Sequence, residues 1–263
     1  MAKWSIKPSI ELQPYIDRYF YDDNTYHNKD PFPFFLPGTG LDLFFHFGDN
    51  IFDLKPELGD SYLICPRQIL GKKSVPKGEF IAVRFKSGMF RHFSTIPYYE
   101  ITNQFVTAED IWGNDFKEFQ KIFLDEEAIS GKIKLIESFL IQLLFNFKKQ
   151  EIVNWDYFNQ KIYEEYRDIR ITDLSDYSSF SKRTFERNFK ESFGVSPKVF
   201  QKLVRLEKTI KSIHLSEGNL IDSLEFGYYD QSHFNKDFKE FIGMTPKEYF
   251  NKNNVHYYFE SLK

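Results

Sequence analysis

Apolar side chains recur every four residues over two stretches late in the chain, Phe185, Phe189 and Phe193 and then Phe234, Phe238 and Ile242. That spacing lines one stripe of an α-helix. Just ahead of each stretch stands a short oxygen-bearing residue, Ser181 or Asp230, suited to accept from the free amides of a first helical turn. Behind each comes a glycine, Gly194 or Gly243, and then Ser196-Pro197 or Thr245-Pro246, an N-cap followed by proline at the first position of a new helix. The pattern therefore predicts the same arrangement twice: a capped helix, a glycine stop and the start of a second helix.

Sliding the chain along itself puts residues 181–200 on residues 230–249, an offset of 49. Phe185 falls on Phe234, Phe189 on Phe238, Lys190-Glu191 on Lys239-Glu240, Gly194 on Gly243 and Pro197-Lys198 on Pro246-Lys247. A short helix-like segment precedes each copy, at 171–177 and at 220–227. Two helix-turn-helix units are expected, at about 171–192 and 220–241.

The first half has a different texture. Short extended runs rich in aromatics, at 31–37, 41–47 and 80–85, alternate with Pro and Gly turns and predict a small β-barrel or sandwich. From 115 to 149 the spacing turns helical, with Phe116, Phe119, Ile122 and Phe123, then Ile133, Ile136, Phe139, Leu140, Leu143, Leu144 and Phe147. Residues 148–153 read as a linker. The 263 residues suffice for two domains, expected at 1–149 and 153–252 in an α+β protein whose second domain is all-α.

The net charge of −3 is unusual for a nucleic-acid binder until it is divided along the chain. Between 177 and 211, Lys182, Arg183, Arg187, Lys190, Lys198, Lys202, Arg205, Lys208 and Lys211 face only Glu186, Glu191 and Glu207, a net of +6. From 212 to 250, Lys236, Lys239 and Lys247 face seven carboxylates, a net of −4. The polar face of the first predicted helix carries Arg183, Glu186, Arg187 and Lys190, and that of the second Ser232, Asn235, Lys236 and Lys239. Arginine can bind guanine, asparagine can bind adenine, and a glutamate can accept from cytosine. A solvated helix face has the same look when one copy is taken alone.

These residues resemble the AraC/XylS family of bacterial transcription regulators over roughly 153–250. The resemblance is carried by Ser181-x-Arg183-x-Phe185-x-Arg187-x-Phe189-Lys190, Gly194-x-Ser196-Pro197, Arg205-Leu206, Gly227-Tyr228-x-Asp230-Gln231-Ser232-x-Phe234-x-Lys236-x-Phe238-Lys239 and Gly243-x-Thr245-Pro246. It implies sequence-specific binding of double-stranded promoter DNA, with two recognition helices in successive major-groove segments and a long helix from Pro197 as the spacer between them. By position Arg183, Glu186, Arg187, Gln231, Ser232, Asn235 and Lys236 are the expected base readers, and Lys182, Lys190 and Lys239 the expected phosphate contacts. Ser175, Ser178, Asp222 and Ser223 depart from the small or apolar residues usual in the family, and polar groups there need partners or exposure. The first half, through Phe35-Leu-Pro-Gly-x-Gly-Leu-Asp-Leu-Phe44, Val83-Arg84-Phe85 and Gly88, is similar to the sensor half of a family subset. That similarity implies a jelly-roll-like barrel receiving a small-molecule effector or another signal. It leaves open whether the 115–149 helices dimerise the chain or pack on the barrel.

A jelly roll can also house a metal enzyme, which needs a cluster of histidine and carboxylate ligands. Only His27, His46 and His92 occur before residue 110, scattered, and His46 reads as a satisfied strand histidine. The single cysteine, Cys65, reads as a packing residue. Arg84 either meets an anion or faces water. No catalysis, metal or cofactor is expected. With no run of 18 apolar residues and no secretory-type start, a cytoplasmic location away from membranes is expected. A homodimer and contact with RNA polymerase stay open. The rival readings are a cupin-like metal enzyme fused to a regulator and a protein-interaction module without DNA binding.

Overall fold

The computed structural model describes residues 3–23, 36–47, 61–68, 79–147, 153–215 and 223–251. Residues 148–152 of the expected linker at 148–153, His27 and residues 31–35 of the first aromatic run lie outside the described residues. The chain divides into two compact units, one of residues 1–30, 40–65 and 74–152, the other of 31–39, 66–73 and 153–263.

The first unit is built on strands β1 (Lys3–Ile6), β2 (Ile16–Asp22), β3 (Leu41–Phe47), β4 (Ser61–Ile64), β5 (Glu79–Phe85) and β6 (Phe105–Thr107). They form one antiparallel sheet in the order β1-β2-β5-β3-β4-β6. Two longer helical segments, α2 (Ala108–Asp125), kinked at Gly113 where φ is 57°, and α3 (Ile129–Asn146), follow the short α1 (Tyr98–Ile101).

The sheet is not closed into a barrel, against the jelly-roll expectation. The reason lies in what covers its apolar face. Tyr19, Leu43, Phe45, Phe47, Leu63, Ile81 and Val83 from that face share one core with Trp112, Phe116, Phe119 and Phe123 of α2 and Ile133, Ile136, Phe139 and Leu143 of α3. Two helices thus bury the surface that a curled sheet would bury against itself. The wide stripe of the 115–149 segment packs on the sheet, which accounts for its inward residues.

The opposite face of the sheet is buried as well. Phe44 stacks on Tyr62 and on His46, and Phe80 tilts against Phe44 and His46. His46 Nε2 lies 3.2 Å from the Tyr62 hydroxyl, and burial holds its imidazole down at about 3, so the ring is neutral at physiological pH. It is a buried strand histidine, as its aromatic neighbours suggested. Arg84 stands directly across from Asp42 in the β3–β5 register and donates to it through Nη1 at 2.8 Å, so the anion it meets is an internal carboxylate. Cys65 is buried, with its Sγ near the Gly40 carbonyl.

The second unit holds α4 (Trp155–Glu165), α5 (Ile171–Tyr177), α6 (Lys182–Phe193), α7 (Pro197–Leu215), α8 (Gln231–Ile242) and α9 (Pro246–Asn251). α7 serves two cores. Phe200 and Val204 join Trp155, Phe158, Phe185, Phe189 and Phe193, while Leu203, Leu206, Ile210 and Ile213 join Tyr228, Phe234, Phe238 and Tyr249. Residues from the first part of the sequence also belong to this unit. Thr39 donates its backbone N–H and its hydroxyl to Glu207 of α7 at 2.8 and 2.9 Å, and the buried Arg67 donates to the Phe193 carbonyl at the end of α6 at 3.1 Å.

Candidate nucleic-acid interface

In the first helix-turn-helix unit the local chemistry follows the sequence closely. Ser181 Oγ accepts from the Thr184 amide, and Gly194, in the left-handed region at φ 83°, ends α6 with its N–H on the Lys190 carbonyl. A side chain there would be strained, which is why glycine stands at this stop and, at φ 78°, in the matching Gly243. Phe185, Phe189 and Phe193 turn wholly inward. The polar departures in the turn are satisfied by backbone: Ser175 Oγ donates to Thr172 O at 2.8 Å, and Ser178 Oγ donates to Ser175 O at 2.7 Å while accepting from the Phe180 amide.

With the aromatic stripe inward, the other side of α6 is outward. Lys182, Arg183, Arg187 and Lys190 are exposed and Glu186 is half-buried, so the structure brings the first set of expected contacts onto one face. The basic surplus of this region is sorted by the fold. Lys202 is bound to Asp237, the Arg205 guanidinium lies 5.2 Å from the Tyr228 ring centre, and Lys208 donates to the Tyr163 carbonyl. The four α6 cations are left at the surface.

The second unit repeats the design with different means. Asp230 caps α8 by accepting from the His233 amide at 2.7 Å, and Phe234, Phe238, Phe241 and Ile242 are buried. Gln231, Ser232, Asn235, Lys236 and Lys239 are exposed along the remaining face. Of the expected first helix at 220–227, residues 220–222 lie outside the described residues, Asp222 among them, and Ser223–Phe226 form one 3-10 turn. Sequence reasoning passed over Asp237. Its carboxylate is buried inside α8, 2.9 Å from Lys202 Nζ, with His233 Nε2 at 3.7 Å. A charged residue one step before a core phenylalanine was the available signal, but its partner lies 35 residues away.

The acidic balance of this second unit is softer at the surface than the count of residues suggests. Asp230 is engaged as a cap, Asp237 is paired inside, and Glu248 accepts from the Thr245 amide and hydroxyl ahead of α9. What faces outward from α8 is mainly amide, hydroxyl and ammonium.

Two capped, glycine-stopped helices, α6 and α8, are thus mounted on one long helix, α7, each with its polar face outward. Residues 174–252 match the family model of a helix-turn-helix domain, and residues 5–107 match that of a domain of unknown function. Curated proteins give no match. Among solved structures the chain is similar to ToxT from Vibrio cholerae, at 13% identity and a TM-score of 0.42 over 95% of this chain and 97% of that one. ToxT from Vibrio cholerae O395 bound to (E)-4-(8-methylnaphthalen-1-yl)but-3-enoic acid is similar at 13% identity and a TM-score of 0.43, over 96% and 98%.

Among the described residues no helix is long and apolar enough to cross a membrane, and no group of three or more His, Cys, Asp or Glu could hold a metal ion.

Proposed function

We propose that α6 and α8 enter successive major-groove segments of promoter DNA. Arg183, Glu186, Arg187, Gln231, Ser232, Asn235 and Lys236 read bases there, and Lys182, Lys190 and Lys239 hold phosphates. The observation that carries this reading is the division of each helix: phenylalanines sealed inward, and side chains able to pair with base edges or phosphates outward. The DNA-binding domain is taken as 153–252 and the remainder, 1–149, as a sensor unit for a small-molecule or other signal, working in the cytoplasm with RNA polymerase as the eventual target. Exposed Ile122 and Phe145 on α2 and α3 favour these helices as the surface for a second copy of the chain.

The test is binding of the purified chain to fragmented genomic DNA, followed by titration of recovered fragments against salt. Recovery of fragments sharing two short motifs about one helical turn apart, with affinity falling steeply as salt rises, is the expected result. Indiscriminate recovery, or affinity indifferent to salt, overturns it.

A further inference from the structure

We propose that Tyr229 is a DNA-contacting residue of the second unit, its phenolic hydroxyl donating to a phosphate oxygen at the edge of the groove that α8 enters. This rests on the reading of α8 as a groove-entering helix. Tyr229 is 86% exposed, more than any other large apolar or aromatic residue among the described ones. It directly precedes Asp230, the cap of α8, and so stands at the end of the helix that carries Gln231 and Ser232.

Its backbone is anchored to the start of α8. The Tyr229 amide faces His233 Nδ1 at 3.4 Å, Asp230 caps the helix, and Tyr228 is buried with its ring edge-on to His233 and Phe234. The fold thus fixes where the side chain starts while leaving the ring itself outside the core.

The first unit shows what is special about this place. At the repeat offset of 49, Tyr229 corresponds to Phe180, which is half-buried against the first core and is followed by the exposed cations Lys182 and Arg183. In the second unit the inward aromatic is Tyr228, and the matching positions after the cap are the neutral Gln231 and Ser232. A phosphate flanking this helix start finds no cation at those positions. A tyrosine hydroxyl is a neutral donor of the kind that binds phosphate oxygens, and a charged acceptor strengthens the bond.

The test uses the full chain with Tyr229→Phe and Tyr229→Ala. Affinities are measured by fluorescence anisotropy on a duplex that the wild-type chain selects from a random-sequence pool, and on a scrambled duplex of the same length. Both variants are expected to bind about tenfold more weakly, because both lack the hydroxyl. The loss is expected to be the same on the two duplexes, and the salt slope to stay unchanged, since a neutral donor displaces no counterion. Wild-type affinity in Tyr229→Phe overturns the proposal, and so does a loss confined to the selected duplex, which marks a base reader. If the wild-type chain itself binds neither duplex, the groove-binding reading falls first and this proposal with it. Thermal unfolding of Tyr229→Phe, expected to match wild type at so exposed a position, separates lost contact from lost fold.

Discussion

Lys202 on α7 and Asp237 on α8 form an ion pair at 2.9 Å, with the Asp237 side chain only 3% exposed, and this pair ties α8 to the long helix that both cores share. Removing one partner of such a pair leaves a charge buried alone, whereas replacing both by apolar groups restores packing. Lys202→Met is expected to destabilise the second unit by about 2 kcal/mol, less than a fully buried pair would cost because the lysine end is partly solvated. Adding Asp237→Leu is expected to recover most of that loss. Denaturant titration of the two singles and the double checks it, and strictly additive effects would show the pair to be uncoupled.

The same pair sets an alkaline limit. Burial pulls the Lys202 ammonium down, but the hydrogen bond and charge of Asp237 outweigh it, so its affinity for the proton is raised above the ordinary 10.5. The sign follows: a raised lysine stabilises the fold fully below 10.5, and the contribution is lost as pH rises through the raised value.

On α6, base reading and phosphate binding make different predictions. Arg187→Ala is expected to cost about 1 to 3 kcal/mol at the specific site and to relax preference at one base pair. Lys190→Ala is expected to weaken all duplexes alike and to lower the salt slope by about 1. Titrations of both variants on the selected duplex, on its single-base variants and across a salt series distinguish the two roles. Equal weakening of Arg187→Ala on every sequence would exclude it as a reader.

His46 predicts an acid sensitivity of the sheet unit. Its imidazole is held at about 3 by burial, against 6.5 when unfolded, so the unfolded chain takes up a proton that the folded one refuses. Stability from this source is complete above 6.5 and falls progressively toward 3. Comparing denaturation at about pH 7 and about pH 4.5, His46→Phe is expected to lose less stability than wild type over the interval. Reading the difference between the two pH values removes any constant cost of leaving Tyr62 without its histidine. An identical loss in the variant would place the acid sensitivity elsewhere.

Local chemistry was legible in the sequence where it is local in space. Ser181, Gly194, Asp230 and Gly243 act within a turn of their own positions, and a four-residue phenylalanine repeat has one geometric meaning on a helix. β3 and β5 were legible for the same reason, through the short aromatic runs at 41–47 and 80–85. Closure of the sheet was not, because a strand pattern records that a face is buried and not what buries it, and α2 and α3 supply the cover. Arg84 found its partner through the register of β3 on β5, and Asp237 found Lys202 across 35 residues of chain. The assignment of residues 36–39 and 66–68 to the helical unit, through Thr39 on Glu207 and Arg67 on Phe193, belongs to the same class of long-range pairing.

The 19 residues of α7 amount to about 28 Å of rod, and each residue added or removed turns whatever lies beyond it by about 100°. Because Phe200 and Val204 are set in one core and Leu203, Leu206, Ile210 and Ile213 in the other, neither unit can rotate about that rod without tearing its own packing. The helix therefore works as a keyed shaft. On the proposed reading, point changes on α6 or α8 retune which letters are recognised, while the interval and phase between the two recognised words are inherited unchanged, so target sites drift in spelling but not in metre.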